Sequence, residues 1–224
     1  MTTPLLGQMM DVPLTVSSLI AHAARHFGAT EIVSRRIEGD THRYTYRDCE
    51  KRAKQLAQAL IALGVEPGER IGTLAWNGYR HLEAYYGVAG FGAVCHTINP
   101  RLFPEQIAWI INDAQDRYVL FDTTFAPLVD VLAPRCPQVR GWIALAGEAH
   151  LPKMQAALPA PLLSYETLIA AHDGAFDWPR IEESQASYLC YTSGTTGNPK
   201  GVLYSHRPTV LHAFGASLPD SMGL

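Results

Sequence analysis

The feature that most constrains the fold is a regular alternation of short apolar runs with helical patterns in the middle of the chain. The helical patterns begin near Tyr79 and at Pro104, a residue type suited to the first turn of a helix. The apolar runs cover residues 71–76, 94–98, 118–122 and 139–145. Because this alternation is typical of βαβ units, it predicts an α/β fold with a mostly parallel sheet and helices on both faces.

The segment before this alternation predicts two helices separated by a hairpin. Residues 15–27 carry apolar side chains on one side and end at a glycine, so they predict the first helix. Residues 31–36 and 41–46 flank a Glu-Gly-Asp turn and predict the hairpin. Thr45, with Asp48 three residues later, resembles a capping box that opens the second helix.

The last part of the chain has a different character. Residues 151–179 are rich in proline and alanine and predict a connection with one helix at residues 165–171. Residues 187–191 and 201–206 predict two strands on either side of a loop rich in glycine and threonine. A final helix is expected from Pro208.

The composition excludes two classes of protein. Hydrophobic residues make up 47% of the 224 residues and charged residues 17%, so the low hydrophobicity and high charge of a disordered chain are absent. Lysine and arginine number 18 and aspartate and glutamate 21, which gives a net charge of −3. This balance provides no electrostatic footprint for nucleic acid, and general nucleic-acid binding is not expected.

Neither a disulfide framework nor a membrane segment is indicated. The four cysteines, at positions 49, 95, 136 and 190, lack the Cys-x-x-Cys spacing of a four-sulfur zinc site. The apolar stretch at residues 84–100 falls short of the roughly 18 to 20 apolar residues that span a membrane. No signal-peptide pattern is found at the N-terminus. We therefore expect a cytoplasmic protein with no transmembrane segment.

The loop at residues 191–201 holds the densest set of hydrogen-bond donors in the sequence. Gly194 and Gly197 permit backbone conformations in which successive N–H groups point into one concavity, and Lys200 adds a positive charge. Four hydroxyl side chains add further donors: Thr192, Ser193, Thr195 and Thr196. Each bond to an ionised phosphate oxygen contributes roughly 1.5–3 kcal/mol. The loop therefore predicts binding of nucleotide phosphates.

The charge around this loop also suits an anion. Between Glu183 and Asp220 the sequence has no acidic residue, while Lys200 and Arg207 are basic. Although the whole chain is slightly acidic, this local excess of positive charge is the field that phosphates need.

The loop has two other interpretations. Surface hairpins are often rich in Gly, Ser, Thr, Asn and Pro, so the composition is also compatible with a hairpin that binds nothing. A Walker loop is not matched, because Pro199 precedes Lys200 and Gly201 follows it. A phosphate-binding loop here would be of a different kind, lying between two strands.

The residues around this loop resemble a known signature. Residues 192–201, with Tyr191 before them and Ser205, His206 and Arg207 behind, closely resemble the phosphate-binding signature of the adenylate-forming superfamily. This superfamily includes acyl-CoA synthetases, adenylation domains of peptide synthetases, and luciferases. Residues 44–46 and 87–100 resemble other signatures of it. The sequence is most similar to medium- and long-chain fatty acyl-CoA ligases and 3-methylmercaptopropionyl-CoA ligases.

The resemblance implies a reaction in two steps. A carboxylate, fatty or otherwise small and aliphatic, attacks the α-phosphate of ATP and releases pyrophosphate, and the thiol of coenzyme A then takes the acyl group. Mg²⁺ is implied as the metal, with Thr192 as its ligand. Lys200 and His206 are the implied catalytic residues, although a histidine at a strand end is more often structural. The implied ATP-binding residues are Thr192, Ser193, Gly194, Thr195, Thr196, Gly197 and Lys200.

Some segments expected of the superfamily are not found in this sequence. They are a Tyr-Gly-x-Thr-Glu segment, a Thr-Gly-Asp segment and a later lysine that orients the carboxylate. We therefore expect residues 1–224 to form a partial N-terminal AMP-binding domain, without the C-terminal domain, that is inactive alone and can form a homo-oligomer through exposed apolar surface. The alternatives are a non-catalytic nucleotide- or phosphate-binding module and a structural domain whose loop binds nothing.

Three remaining patterns favour structure over chemistry. His22 and His26 lie four residues apart on the first helix, but no third metal ligand is signalled. Cys190 lies in an apolar strand without an adjacent basic residue, which predicts an inert core thiol. The glycines at positions 87, 90 and 92 do not match the dinucleotide-binding fingerprint and predict close packing of a helix.

Overall fold

A computed structural model of the chain describes residues 5, 7, 9–155, 157–192 and 198–222. The helices in this part of the chain are α1 (Val16–His26), α2 (Tyr46–Ala62), α3 (Tyr79–Gly90), α4 (Pro104–Ala114), α5 (Ala126–Leu132), α6 (Tyr165–Ala170) and α7 (His206–Ala216). The strands are β1 (Glu31–Arg35), β2 (Thr41–Thr45), β3 (Arg70–Leu74), β4 (Val94–Thr97), β5 (Tyr118–Phe121), β6 (Gly141–Ala144), β7 (Leu162–Ser164), β8 (Ala186–Thr192) and β9 (Lys200–Ser205).

Seven of these strands form one sheet in the order β7-β6-β5-β3-β4-β8-β9. All neighbouring strands in it are parallel except β8 and β9, which are antiparallel. Strands β1 and β2 form a separate antiparallel hairpin. The prediction of an α/β fold with a mostly parallel sheet is confirmed.

Helices cover both faces of this sheet, as predicted. On one face, α2, α3 and α6 pack against the sheet through buried side chains that include Leu56, Val88 and Ile169. On the other face, α4 and α5 do so through a set that includes Ile107 and Val129. Because the central strands are buried on both faces, their residues are apolar without alternation, which is why they appear as continuous apolar runs in the sequence.

The start of α2 confirms the predicted capping box. The Thr45 hydroxyl accepts a hydrogen bond from the Asp48 backbone N–H at 3.3 Å, and the Asp48 carboxylate accepts one from the Thr45 N–H at 2.9 Å. Two N–H groups that a helix end would otherwise leave unpaired are thus satisfied.

We expect Thr45→Ala to lower the free energy of unfolding by about 1 kcal/mol, because the Asp48 N–H loses its acceptor. Urea unfolding followed by circular dichroism measures the change. Thr45→Ser keeps the hydroxyl and is expected to retain most of the stability. Equal losses in the two variants would contradict the assignment.

Gly87 and Gly90 lie where α3 makes close contacts. A Cβ atom at Gly87 would lie 2.8 Å from the carbonyl oxygen of Ala53 on α2, and one at Gly90 would lie 2.4 Å from the ring of Trp178. Side chains larger than hydrogen would therefore push α3 away from its neighbours. This agrees with the prediction that the glycines serve helix packing.

Two boundaries near the C-terminus differ from the prediction. Strand β9 ends at Ser205, and α7 begins at His206 rather than at Pro208. Pro208 is the third residue of the helix, where the missing N–H costs nothing, since N–H groups in the first turn have no partner within the helix. Strand β7 was not predicted. It has only three residues, two of them half-buried, and leaves no clear pattern.

The described residues include no helix that combines the length and the apolar character needed to cross a membrane.

Candidate phosphate-binding site

The predicted phosphate-binding loop lies at the edge of the sheet where the parallel strands end. Strand β8 is parallel to β4, which is parallel to β3. The three strands end at Thr192, Thr97 and Leu74, so their carboxyl ends lie on one edge. In open α/β sheets, ligands bind outside this edge. The chain then passes to β9, which returns antiparallel to β8.

Thr192 and Lys200 flank the loop as directly opposite residues of β8 and β9. Opposite residues of an antiparallel pair project to the same side, so the two side chains leave the same face of the strand pair. The Thr192 hydroxyl donates a hydrogen bond to the Lys200 carbonyl oxygen at 3.4 Å, and both residues are exposed. The pair can therefore meet a ligand from solvent with one hydroxyl and one positive charge.

The remaining predicted ATP-binding residues, Ser193, Gly194, Thr195, Thr196 and Gly197, lie outside the described residues. Their contacts with phosphate stay predictions.

The charge around the loop is less positive than the sequence predicted. Arg207 is paired with Glu183, whose carboxylate also accepts a hydrogen bond from the Leu14 N–H at 3.0 Å. Asp113, from α4, lies beside the loop through a hydrogen bond with Tyr191. The fold thus brings acidic groups from distant segments to this region. Of the two basic residues predicted to attract phosphate, Arg207 has its charge balanced by Glu183, and the role of Lys200 stays a prediction.

His206 has a structural contact that was not predicted. Its side chain is fully buried at the start of α7, and its Nδ1 accepts a hydrogen bond from the Val16 N–H at 3.1 Å. Burial lowers the pKa of His206 to about 4, so the imidazole is neutral at pH 7. Within the described part of the chain, Nε2 has no hydrogen-bond partner. The contact ties α1 to α7, and a catalytic role for this residue stays a prediction.

A groove of 610 Å³ lies beside the carboxyl ends of β4 and β8 and is mainly apolar. It is bounded by Tyr85, Thr97, Tyr188, Cys190, Tyr204, Pro208, Thr209 and His212. Sequence reasoning missed this groove because its walls come from five helices and strands, α3, β4, β8, β9 and α7, that span more than 120 positions of the chain. The available signal was the two-residue spacing of Tyr188 and Cys190, which places both side chains on one face of β8.

The prediction that Cys190 is a core residue is wrong, whereas the inertness of its thiol stays a prediction. The residue is half-buried on the wall of the groove, and its Sγ lies 3.2 Å from the Thr97 hydroxyl. The apolar neighbours of Cys190 in sequence point to the other face of the strand or to the groove, so they did not reveal its partial exposure.

The rings of His22 and His26 lie 4.5 Å apart in a tilted arrangement on the surface of α1. Across the ranges that the structure describes, no cluster of three or more metal-ligating side chains of the His, Cys, Asp and Glu types is found.

Comparison with known proteins places these features in one family. The chain is 49% identical over 220 residues to the medium-chain-fatty-acid–CoA ligase of Ectopseudomonas oleovorans, covering 98% of this chain and 40% of that protein. It is 52% identical over 219 residues to the 3-methylmercaptopropionyl-CoA ligase of Ruegeria lacuscaerulensis, with the same coverage of 98% and 40%. The chain thus spans 40% of the length of the curated relatives it matches.

Solved structures share the fold at lower sequence identity. The anthranilate CoA ligase AuaEII in complex with anthranoyl-AMP superimposes with a TM-score of 0.75 at 23% identity, over 93% of this chain and 38% of that one. The adenylation domain of a carboxylate reductase from Mycobacterium chelonae superimposes with a TM-score of 0.72 at 17% identity, over 91% and 36%. These likenesses confirm the architecture of the domain.

The family described as AMP-binding enzyme matches residues 19–223, which include every helix and strand from α2 to α7 and the loop between β8 and β9. The chain therefore belongs to the AMP-binding enzyme family.

Proposed function

We propose that this chain binds ATP as part of an enzyme that activates a carboxylic acid to an acyl-adenylate and then to a coenzyme A thioester. The observation that carries the proposal is the pairing of Thr192 and Lys200 at the carboxyl edge of a parallel sheet, in a chain of the AMP-binding family. The named ligases that the chain resembles support the same reaction class.

The reaction requires groups that stabilise negative charge on the departing pyrophosphate. As the carboxylate oxygen bonds to the α-phosphorus, the bond from that phosphorus to the bridging oxygen breaks, and its electron pair leaves with pyrophosphate. Lys200, held next to Thr192, supplies a positive charge where that oligophosphate is expected to lie. Interactions that strengthen as charge develops lower the barrier more than they improve substrate binding.

The residues present are compatible with the magnesium ion that the reaction implies. Thr192 offers one exposed hydroxyl oxygen at the strand end, and Mg²⁺ at ATP sites takes few protein ligands because phosphate and water supply the others. When bound, Mg²⁺ would neutralise part of the phosphate charge.

The apolar groove supports an aliphatic acid as substrate. It begins at Cys190, two residues before Thr192, and so adjoins the loop where the carboxylate would have to meet ATP. Its 610 Å³ can accommodate a hydrocarbon chain, and its walls bear few charged groups. We propose a fatty or other small aliphatic acid as the substrate, and coenzyme A as the acceptor of the acyl group.

We expect Lys200→Ala to weaken ATP binding by about tenfold, because one bond from a charged donor to phosphate is lost. Isothermal titration of the full chain with ATP and Mg²⁺ measures the change. Lys153→Ala is the matched control, because this exposed lysine precedes β7 at the opposite edge of the sheet. Unchanged affinity in Lys200→Ala, or an equal loss in Lys153→Ala, would contradict the proposed site.

A nucleotide-binding module without ligase chemistry is the second candidate, because Thr192 and Lys200 at the carboxyl edge of the sheet account for phosphate binding alone. Exchange of labelled pyrophosphate into ATP separates the two. Exchange that depends on an added fatty acid would establish the adenylation step in this chain and exclude the module. Absence of exchange is expected of both candidates, because the partial domain is expected to be inactive alone.

A further inference from the structure

Tyr191 connects the phosphate-binding loop to α4. It is the last residue before Thr192, and its hydroxyl donates a hydrogen bond to the Asp113 carboxylate at 2.6 Å. Asp113 lies in the last turn of α4 and is 78 positions away in sequence. Burial and the nearby Asp113 raise the pKa of Tyr191, so the phenol stays protonated and remains a donor.

The ring of Tyr191 also contacts the other side of the loop. Gly201 lies directly opposite Tyr191 in the β8–β9 pair. A Cβ atom at Gly201 would lie 3.1 Å from the Tyr191 Cζ and 3.3 Å from its hydroxyl, so the ring leans across the space that the glycine leaves open. The Tyr191 side chain therefore links the two flanks of the loop. Tyr191 itself precedes Thr192 on β8, and its ring lies against Gly201, which follows Lys200 on β9.

Two further rings limit the movement of Tyr191. The His96 ring lies 5.2 Å away, and the Trp109 ring packs edge-on at 6.2 Å. His96 is itself fixed, because both oxygens of the buried Asp116 lie within 2.9 Å of its Nδ1. The Tyr191 ring thus packs against an imidazole that Asp116 holds through its Nδ1, while its hydroxyl is held by α4.

We propose that Tyr191 is a positioning residue that sets the spacing of Thr192 and Lys200 through its hydrogen bond to Asp113 and its ring contact with Gly201. The inference rests on the proposed function, since the spacing matters for ATP only if the loop binds phosphate. Asp113 is a negative charge near a site for an anion, and by charge alone it would oppose ATP binding. The proposal requires that the bond to Tyr191 favours ATP binding by more than the repulsion opposes it.

The test compares four variants of the full chain: Tyr191→Phe, Asp113→Ala, Asp113→Asn and the double variant Tyr191→Phe/Asp113→Ala. Asparagine keeps an oxygen that can accept from the Tyr191 hydroxyl but removes the charge. We expect the two single variants that break the bond to weaken ATP binding by about three- to tenfold, in line with one hydrogen bond. The double variant is expected to be no weaker than either, because both remove the same interaction.

Asp113→Asn separates positioning from charge. If Asp113 acted only through its charge, both Asp113→Ala and Asp113→Asn would bind ATP more tightly than the wild type. Positioning predicts that Asp113→Ala weakens binding, whereas Asp113→Asn, which keeps the acceptor and removes the repulsion, binds ATP at least as tightly as the wild type. Tyr118→Phe is the matched control, because it removes a tyrosine hydrogen bond to Leu63, away from the loop. Tighter binding in Asp113→Ala, or unchanged binding in Tyr191→Phe, would overturn the proposal.

Hydrogen exchange without nucleotide keeps the proposal independent of the proposed function. Faster amide exchange in peptides covering residues 189–203 is expected in Tyr191→Phe and Asp113→Ala, and not in Asp113→Asn or Tyr118→Phe. Equal exchange in all variants would overturn the positioning role. Failure of the wild type to bind ATP would instead overturn the proposed function, and the exchange result would still decide whether Tyr191 orders the strands.

Discussion

Replacing Arg52 with alanine is expected to lower the free energy of unfolding by about 3–5 kcal/mol, since it leaves a buried carboxylate without its counter-ion. Glu83, on α3, is fully buried, and its Oε1 accepts a hydrogen bond from Arg52 Nε on α2 at 2.8 Å. Its other oxygen accepts a hydrogen bond from the Tyr165 hydroxyl on α6 at 2.7 Å. After the substitution only the Tyr165 bond remains.

The loss is larger than for an ordinary ion pair because water cannot reach Glu83 to replace the guanidinium. Arg43→Ala is the matched control, since Arg43 and Glu31 form a pair in which both side chains are about half exposed. Exposed pairs contribute little, so this variant is expected to keep nearly the stability of the wild type. Urea unfolding of both variants at the same pH gives the comparison.

The Arg52→Ala deficit is also expected to depend on pH. Burial raises the pKa of Glu83, and Arg52 opposes that rise in the wild type. Without Arg52 the native state holds a proton on Glu83 at pH values where the unfolded state has released it. The free energy of unfolding of the variant therefore falls as the pH rises above about 4.5, the pKa of Glu83 in the unfolded chain. The deficit relative to the wild type is expected to be smaller at pH 5 than at pH 7.5.

A double variant shows whether the stability lost in Arg52→Ala comes from the unpaired charge of Glu83 or from the lost volume of the Arg52 side chain. Arg52→Met/Glu83→Leu removes both charges and keeps apolar volume between α2 and α3. When it and Arg52→Ala are compared in a Tyr165→Phe background, so that no buried hydroxyl loses its acceptor, it is expected to lose much less stability than Arg52→Ala. Glu166, the other partner of Arg52, retains Arg80 Nε at 2.7 Å and the Tyr79 hydroxyl at 2.9 Å. A double variant as unstable as Arg52→Ala would contradict the account.

The sequence allowed accurate prediction where neighbouring residues decide the structure. Thr45 and Asp48 bond to one another across one helical turn, and Pro104 fixes the start of α4 within the same turn. The parallel sheet was predictable because strands buried on both faces need apolar residues throughout. Thr192 and Lys200 could be placed at the candidate site because they flank one loop between two strands.

The contacts that give the site its shape could not be predicted, because they join distant segments. Tyr191 and Asp113 are 78 positions apart, and Val16 and His206 are 190 apart. Nothing local distinguishes Asp113 from any other acidic residue on a helix surface. The local excess of positive charge expected from the sequence was also overestimated. Glu183, 24 positions before Arg207, forms an ion pair with it in the folded chain. Only the packing of whole helices and strands sets these distances.

The second large effect is a loss of stability in acid, which we expect from His206, the buried histidine at the start of α7. The unfolded chain takes up a proton on His206 near pH 6.5, whereas burial lowers the pKa in the folded protein to about 4. Between these values the unfolded state binds more protons, so stability falls as pH decreases. Above pH 6.5 both states are neutral, and the residue makes no pH-dependent contribution. Between pH 6.5 and pH 4 this residue lowers the free energy of unfolding by roughly 3 kcal/mol.

His206→Asn tests this expectation, because the side-chain oxygen of asparagine can accept the Val16 N–H bond and does not titrate. The variant is expected to be less stable than the wild type at pH 7, since the smaller side chain leaves part of the buried site unfilled. As pH falls from 6.5 to 4, however, the wild type alone loses stability through this residue, so the difference between the two proteins should shrink. Urea unfolding at several pH values measures it, and a constant difference would contradict the assignment of His206 as the buried acid-sensitive contact between α1 and α7.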